Sequence, residues 1–137
     1  MKKTNPKLWG KLQAQLAPGE LKLDSATLEG HQGDKWFATG RPEAVALPRS
    51  SKAVSTILRF AHRHQIPVTP RGAGYGYVGG CVPLRGGIAL SVARMRRIKE
   101  IHEDDFVAVA QPALAPMPPG VDLQPQSTVR NTTPPSV

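Results

Sequence analysis

The sequence predicts an α+β fold in which a β-α-β unit leads into a glycine-rich loop and then further strands. Three observations carry this reading. Apolar residues recur at helical spacing from Ala53 to Ala61, which is the pattern of one buried helix face. Short apolar runs of strand type stand on either side of that segment, at residues 44–47 and 66–69. Between residues 66 and 91 lie seven of the thirteen glycines, at 72, 74, 76, 79, 80, 86 and 87, again bounded by apolar runs.

Length and composition set the outer bounds. A chain of 137 residues with 39% hydrophobic content allows one small domain. A domain of that size buries roughly two-thirds of its unfolded surface and has little stability to spare. Cys81 is the single cysteine, which excludes an intrachain disulfide. Lys2 and Lys3 are not followed by an apolar segment, so no secretory signal is expected. No run approaches the length of a membrane span, and a soluble, cytoplasmic protein is the expectation. The net charge of +8 raises the question of nucleic acid. Its densest group is Arg94, Arg96, Arg97 and Lys99, which strand alternation would divide between two sides. With aromatics at only 5% for stacking, nucleic acid is not the expected partner.

The elements follow in order. Leu8, Leu12 and Leu16 stand four apart beside Trp9, predicting a short amphipathic helix with Pro6 in its first turn and an end at Pro18-Gly19. Residues 21–28 are mixed, and Asp24-Ser25-Ala26-Thr27 reads as a turn or cap. Residues 31–41 read as a loop, with Trp36 and Phe37 anchoring it to the core. His31 has no second ligand at metal-binding spacing, so no metal site is expected. Residues 44–47, closed by Pro48, form a buried strand. Ser50 or Ser51 then caps a helix whose buried positions are Ala53, Val54, Ile57, Leu58 and Ala61. Arg63, His62 and His64 in its last turn suit the negative end of the helix dipole. A strand at 66–68 completes the β-α-β unit, whose short links favour parallel strands and a right-handed crossover.

Further strands are expected at 88–92, 98–102 and 106–111, with Glu103-Asp104-Asp105 as the turn of a hairpin. The unbroken apolar run 106–110 predicts a strand covered on both faces. From Ala113 the chain is rich in proline, with Gly120, Ser127, Thr128 and Asn131 among them, and a disordered tail is expected. The division is therefore 1–40, a helix and loop; 41–112, the organised domain; and 113–137, the tail.

The glycine stretch carries the chemistry. Glycine reaches positive φ without a Cβ clash, so successive amides can turn inward to form a concave anion site. Arg71, just before the first glycine, adds a positive charge. Gly74-x-Gly76-x-x-Gly79 satisfies the dinucleotide fingerprint as a string, but that fingerprint needs a helix opening behind it. Here Gly80-Cys81-Val82-Pro83-Leu84-Arg85-Gly86-Gly87 follows, which does not hold a helix. No Gly-Lys-Ser/Thr follows either, so a P-loop is excluded. The amides must act from a strand–loop–strand setting.

Ordered blocks of residues 41–112 resemble the N-terminal part of the FAD-binding domain of FAD-linked oxidases, the p-cresol methylhydroxylase/vanillyl-alcohol oxidase superfamily. The resemblance is strongest to the glycolate oxidase D-subunit and D-lactate dehydrogenase branch. Its blocks are Arg41-Pro42-Glu43-Ala44-Val45-Ala46-Leu47-Pro48, Ala53-Val54-Ser55-Thr56-Ile57-Leu58, Ile66-Pro67-Val68-Thr69-Pro70-Arg71-Gly72-Ala73-Gly74, Gly79-Gly80-Cys81-Val82-Pro83, Gly86-Gly87-Ile88-Ala89-Leu90-Ser91, Arg94-Met95-Arg96-Arg97-Ile98 and Val107-Ala108-Val109-Ala110-Gln111-Pro112. The resemblance implies the N-terminal subdomain of a PCMH-type FAD-binding domain, incomplete at this length. It implies that Pro70, Arg71, Gly72, Ala73, Gly74, Tyr75, Gly76, Tyr77, Gly79 and Gly80 hold FAD.

Two positions depart from the family. Tyr75 stands where relatives carry a small hydroxyl residue or a flavin-linking histidine, which argues for non-covalent FAD. Val78 stands where a serine is common, which removes one side-chain hydrogen bond to phosphate. Relatives also continue after the region of Pro112 with a second subdomain and a substrate-binding domain, for which this sequence has no counterpart. The resemblance therefore implies an FAD-binding fragment of a 2-hydroxy-acid oxidoreductase, inactive alone and with no catalytic residues of its own. A non-catalytic module completed by the other half of the oxidase or another subunit is the alternative.

Overall fold

A period of two along the central strands sorts their side chains between two helical layers. The computed structural model of the chain describes residues 4–35 and 37–114. Within them run α1 (Pro6–Gln13), β1 (Leu21–Lys22), α2 (Ser25–Glu29), β2 (Ala44–Ala46), α3 (Ser51–Arg63), β3 (Val68–Arg71), β4 (Ile88–Ser91), β5 (Ile98–His102) and β6 (Val107–Ala110). The first four strands form one sheet in the order β1-β2-β4-β3. β2 and β3 each pair in parallel with β4, and β1 lies antiparallel on the outer side of β2. The β-α-β unit built on α3 is present, and β4 is inserted between its two strands.

Ala44 and Ala46 of β2, with Ile88 and Leu90 of β4, pack on Ile57, Phe60 and Ala61 of α3 and on Trp9 and Leu12 of α1. Val45 and Ala89, one residue out of phase, pack on Leu28 of α2 and on Leu47. Alternate residues of a strand face opposite sides, so two short apolar runs serve both layers. Every residue of β2 and β4 is buried.

Local chemistry fixes the helix starts. Asn5 accepts from the Lys7 amide ahead of Pro6, a residue whose fixed φ suits the first turn. Ser50 Oγ accepts from the Ala53 amide at 3.2 Å to open α3. The Asp24 carboxylate accepts from the Thr27 hydroxyl at 2.8 Å and amide at 3.0 Å, and those two bonds hold it below its usual pKa. His64 closes α3 with its ring 4.4 Å from that of Phe60. Glu20 is 4% exposed, and its carboxylate accepts from the Ala17 amide at 3.1 Å and the Arg49 amide at 2.9 Å. A buried carboxylate demands such partners, and these fasten the lead-in of β1 to the exit of β2.

Four expectations need correction. Leu58 is 44% exposed, and Phe60 occupies the core position in its place. The buried stripe is thus Ala53, Ile57, Phe60 and Ala61, rotated slightly from the one that the aliphatic residues suggested. Phe37 is 86% exposed and does not anchor its loop in the core, while Trp36 lies outside the described residues. Residues 92–97 form a turn and not a strand, so alternation does not govern their basic side chains. Arg94 donates to the Gly19 carbonyl at 3.1 Å and Arg96 to that of Ala93 at 2.5 Å. Finally, β5 and β6 form the expected hairpin as a separate two-stranded sheet, but each of their residues is exposed. A continuous apolar run shows that a strand favours cover; it does not supply the cover. The expected disordered tail lies almost wholly outside the described residues. Among the described residues no helix is long and apolar enough to cross a membrane.

The two neighbouring aliphatic positions of α3 give a direct check. Ile57→Ala, at a site with no exposure, should cost about 2–5 kcal/mol of stability in urea unfolding. Leu58→Ala should change it by less than about 0.5 kcal/mol. Equal losses would mean that α3 presents a different face.

Candidate functional site

Parallel neighbours need a return that crosses the length of the sheet, and a helix usually makes it. Between β3 and β4 residues 72–87 make it with turns and bends alone. This return leaves the carboxyl end of β3, the end at which open α/β sheets bind their ligands. Two of its glycines are required by geometry. Gly87 has φ +69°, and a Cβ there would run into the Pro67 carbonyl. Gly74 has φ +80°, and a Cβ there would collide with the guanidinium of Arg71, 2.7 Å from Cζ.

Arg71 therefore lies directly behind the loop. Its Nη1 donates to the Gly33 carbonyl at 2.5 Å and stands 3.9 Å from Cys81 Sγ. Cys81 Sγ is in turn 3.7 Å from Asp34 Oδ2, and Cys81 is half-buried, not enclosed. The Lys35 amide donates to the Gly76 carbonyl at 3.0 Å. A Cβ on Gly76 would come within 3.0 Å of Asp34 Oδ2. The segment that provides these contacts is itself folded back, with Gly33 bridged to Thr39 and the Gly40 amide donating to Gln32 at 2.8 Å. Residues 33–35 thus hold the glycine loop from one side. The sequence reading assigned them no role, and nothing in their type or spacing marks it.

The predicted residues come together as one contiguous surface. Pro70 and Arg71 belong to β3; Arg71, Gly74 and Gly79 are half-buried; Gly72, Ala73, Tyr75, Gly76, Tyr77 and Gly80 are exposed. The Lys35 ammonium lies 5.5 Å from the centre of the exposed Tyr75 ring. Beside the loop, an open cleft of about 370 Å³ runs between Val68–Pro70 of β3 and Gly80, Val82 and Leu84. Among the described residues no group of three or more His, Cys, Asp or Glu is placed to hold a metal. An exposed, amide-rich loop with one guanidinium behind it and one ammonium at its surface suits a multiply charged anion.

Comparison with known proteins gives this geometry a context. Residues 42–115 match the family described as FAD binding domain. Over 73 residues the chain is 38% identical to glycolate oxidase subunit GlcD of Bacillus subtilis, covering 53% of this chain and 16% of that protein. Over 93 residues it is 32% identical to the probable mitochondrial D-lactate dehydrogenase of Danio rerio, covering 67% of this chain and 19% of that one. A solved alkyldihydroxyacetonephosphate synthase superposes with a TM-score of 0.70 at 23% identity, over 77% of this chain and 22% of that chain, which is a likeness of fold. The chain spans about a fifth of the length of such relatives.

The bond from Arg71 to Gly33 should govern the order of the loop. Arg71→Lys removes the forked donor, and chymotrypsin should then cut at Tyr75 or Tyr77 several times faster than in the parent chain. Unchanged cleavage kinetics would show that the loop is ordered without this bond.

Proposed function

Because the chain belongs to the FAD binding domain family, we propose that its loop from Pro70 to Gly80 holds the pyrophosphate of FAD without a covalent link. On this reading it forms part of a flavin-dependent oxidoreductase acting on 2-hydroxy acids of the glycolate and D-lactate type. The observation that carries the placement is Gly74. Its positive φ, and the guanidinium packed where a Cβ would stand, hold the loop's backbone in a turn that admits no side chain. Backbone amides and a cation behind them are the groups that a diphosphate needs.

The roles divide along the chain. Gly72, Ala73, Gly74, Gly76, Gly79 and Gly80 offer backbone at the surface, and Pro70 fixes the direction in which β3 enters the loop. Arg71 holds Gly74 in position and contributes charge from behind. Tyr75 and Tyr77 present ring faces beside the phosphate site. Tyr75 in the place of a linking histidine supports reversible binding. When bound, FAD supplies the two-electron acceptor for oxidation of the hydroxyl carbon. The substrate class is taken from the glycolate oxidase and D-lactate dehydrogenase relatives.

We take the isolated chain to bind FAD without turning over a hydroxy acid. Oxidation needs a cation for the substrate carboxylate, a base for the hydroxyl proton and the flavin beside the Cα–H. Arg71, the cation nearest the loop's backbone, is committed to Gly33 and is not available to a substrate. A second reading, favoured by the exposed β5–β6 hairpin, is that a partner chain completes the fold over that surface. Phe106 at 97% and Val107 at 50% exposure are the residues that such a partner would cover.

Gly74→Val should abolish FAD retention, because a branched Cβ fits neither the backbone angle nor the space that the Arg71 guanidinium fills, so the loop must leave its present shape. Retention equal to that of the parent chain, by equilibrium dialysis, would place the pyrophosphate elsewhere. Anaerobic glycolate or D-lactate should leave the visible flavin band of the isolated chain no more bleached than a free-FAD control. Faster bleaching would mean that the chain carries a complete oxidising site.

A further inference from the structure

We infer that Lys35 is a second cation for the cofactor's pyrophosphate, delivered to the front of the glycine loop by the turn that Arg71 holds from behind. The inference rests on the FAD site proposed above and adds to it a residue outside the loop. Arg71 precedes the glycines in sequence, yet its guanidinium faces inward, donating to Gly33 and filling the space beneath Gly74. It acts on phosphate through the backbone and from one side only.

Lys35 stands on the same turn, two residues after Gly33. Its amide is fixed to the Gly76 carbonyl at 3.0 Å, so its backbone travels with the middle of the loop. Its ammonium lies 5.5 Å from the centre of the ring of Tyr75, the residue before Gly76. Lys35 is exposed, and among the described residues its ammonium takes part in no ion pair. A lysine resting on an exposed aromatic face is weakly held and remains well hydrated. A diphosphate on the loop's amides carries two negative charges and competes easily with a ring for that ammonium. The ring of Tyr75 then keeps the cation close to the loop before the ligand arrives, which lowers the ordering cost of binding.

The test uses the full chain, with FAD as the probe, by equilibrium dialysis at low and at physiological salt. Lys35→Met should weaken FAD binding about tenfold at low salt, as expected of one lost charge-assisted contact, and should flatten the salt dependence. Lys35→Arg should keep both the affinity, to within about twofold, and the salt dependence, since it keeps the charge. Circular dichroism and thermal melting of each variant establish that the fold is intact. Equal FAD binding by the Met variant and the parent would overturn the inference while leaving the FAD site standing. So would equal weakening in the Met and Arg variants with an unchanged salt dependence, because that outcome assigns Lys35 a structural role. No FAD binding by the parent chain would overturn the site and the inference together.

Discussion

Gly87 is where three strands are set in register, and the rest of the molecule depends on that junction. Its carbonyl accepts from the amides of Glu43 at 2.8 Å and Ala44 at 3.1 Å, at the entry to β2. The following amide, Ile88, donates at 2.8 Å to Pro67, at the entry to β3. With φ at +69° and the Pro67 carbonyl where a Cβ would stand, no other residue type fits there without strain. Once β4 is locked between β2 and β3, its neighbour β3 must be joined to it by a return across the whole sheet. The glycine loop is that return. Its place at the carboxyl end of β3 follows from strand order before any consideration of ligand.

Much of this was legible in the sequence, because periodicity and glycine placement are local signals. The runs 44–47, 66–69 and 88–92 became β2, β3 and β4, and the helix capped by Ser50 became α3. The glycines that turn the loop stood out by density alone. What was not legible depends on contacts distant in sequence. The insertion of β4 between the strands of the β-α-β unit is a matter of pairing, which no window of the sequence records. Phe60 is buried and Leu58 exposed, and the core that Phe60 joins includes Trp9 and Leu12 of α1, about fifty residues earlier. The hairpin of β5 and β6 has the composition of a covered strand pair and stands exposed.

The same distinction explains why the turn at Gly33–Lys35 went unseen. A glycine loop has little rigidity of its own, since each glycine loses more conformational entropy on ordering than any other residue. Here part of that ordering is supplied from outside, through Arg71 to Gly33, Lys35 to Gly76 and Cys81 to Asp34. These contacts span roughly forty residues of sequence and involve two backbone carbonyls, which carry no signature of residue type. The loop is recognisable because its glycines are unusual. The turn that steadies it is made of ordinary residues doing backbone chemistry.

The edges of the four-stranded sheet carry a consequence for how copies of this chain behave when crowded. On one side β1 caps β2 with only Leu21 and Lys22, a strand too short to template another. On the other, β3 is the outermost strand, with Pro70 within it and Pro67 just before it. Pro67 faces inward, its carbonyl taken by Ile88 of β4, but Pro70 faces the border and, having no N–H, offers a newcomer nothing from the amide side. Edge-to-edge growth into a continuous ladder is therefore hindered at one border by the shortness of β1 and at the other by Pro70, the residue that leads into the loop.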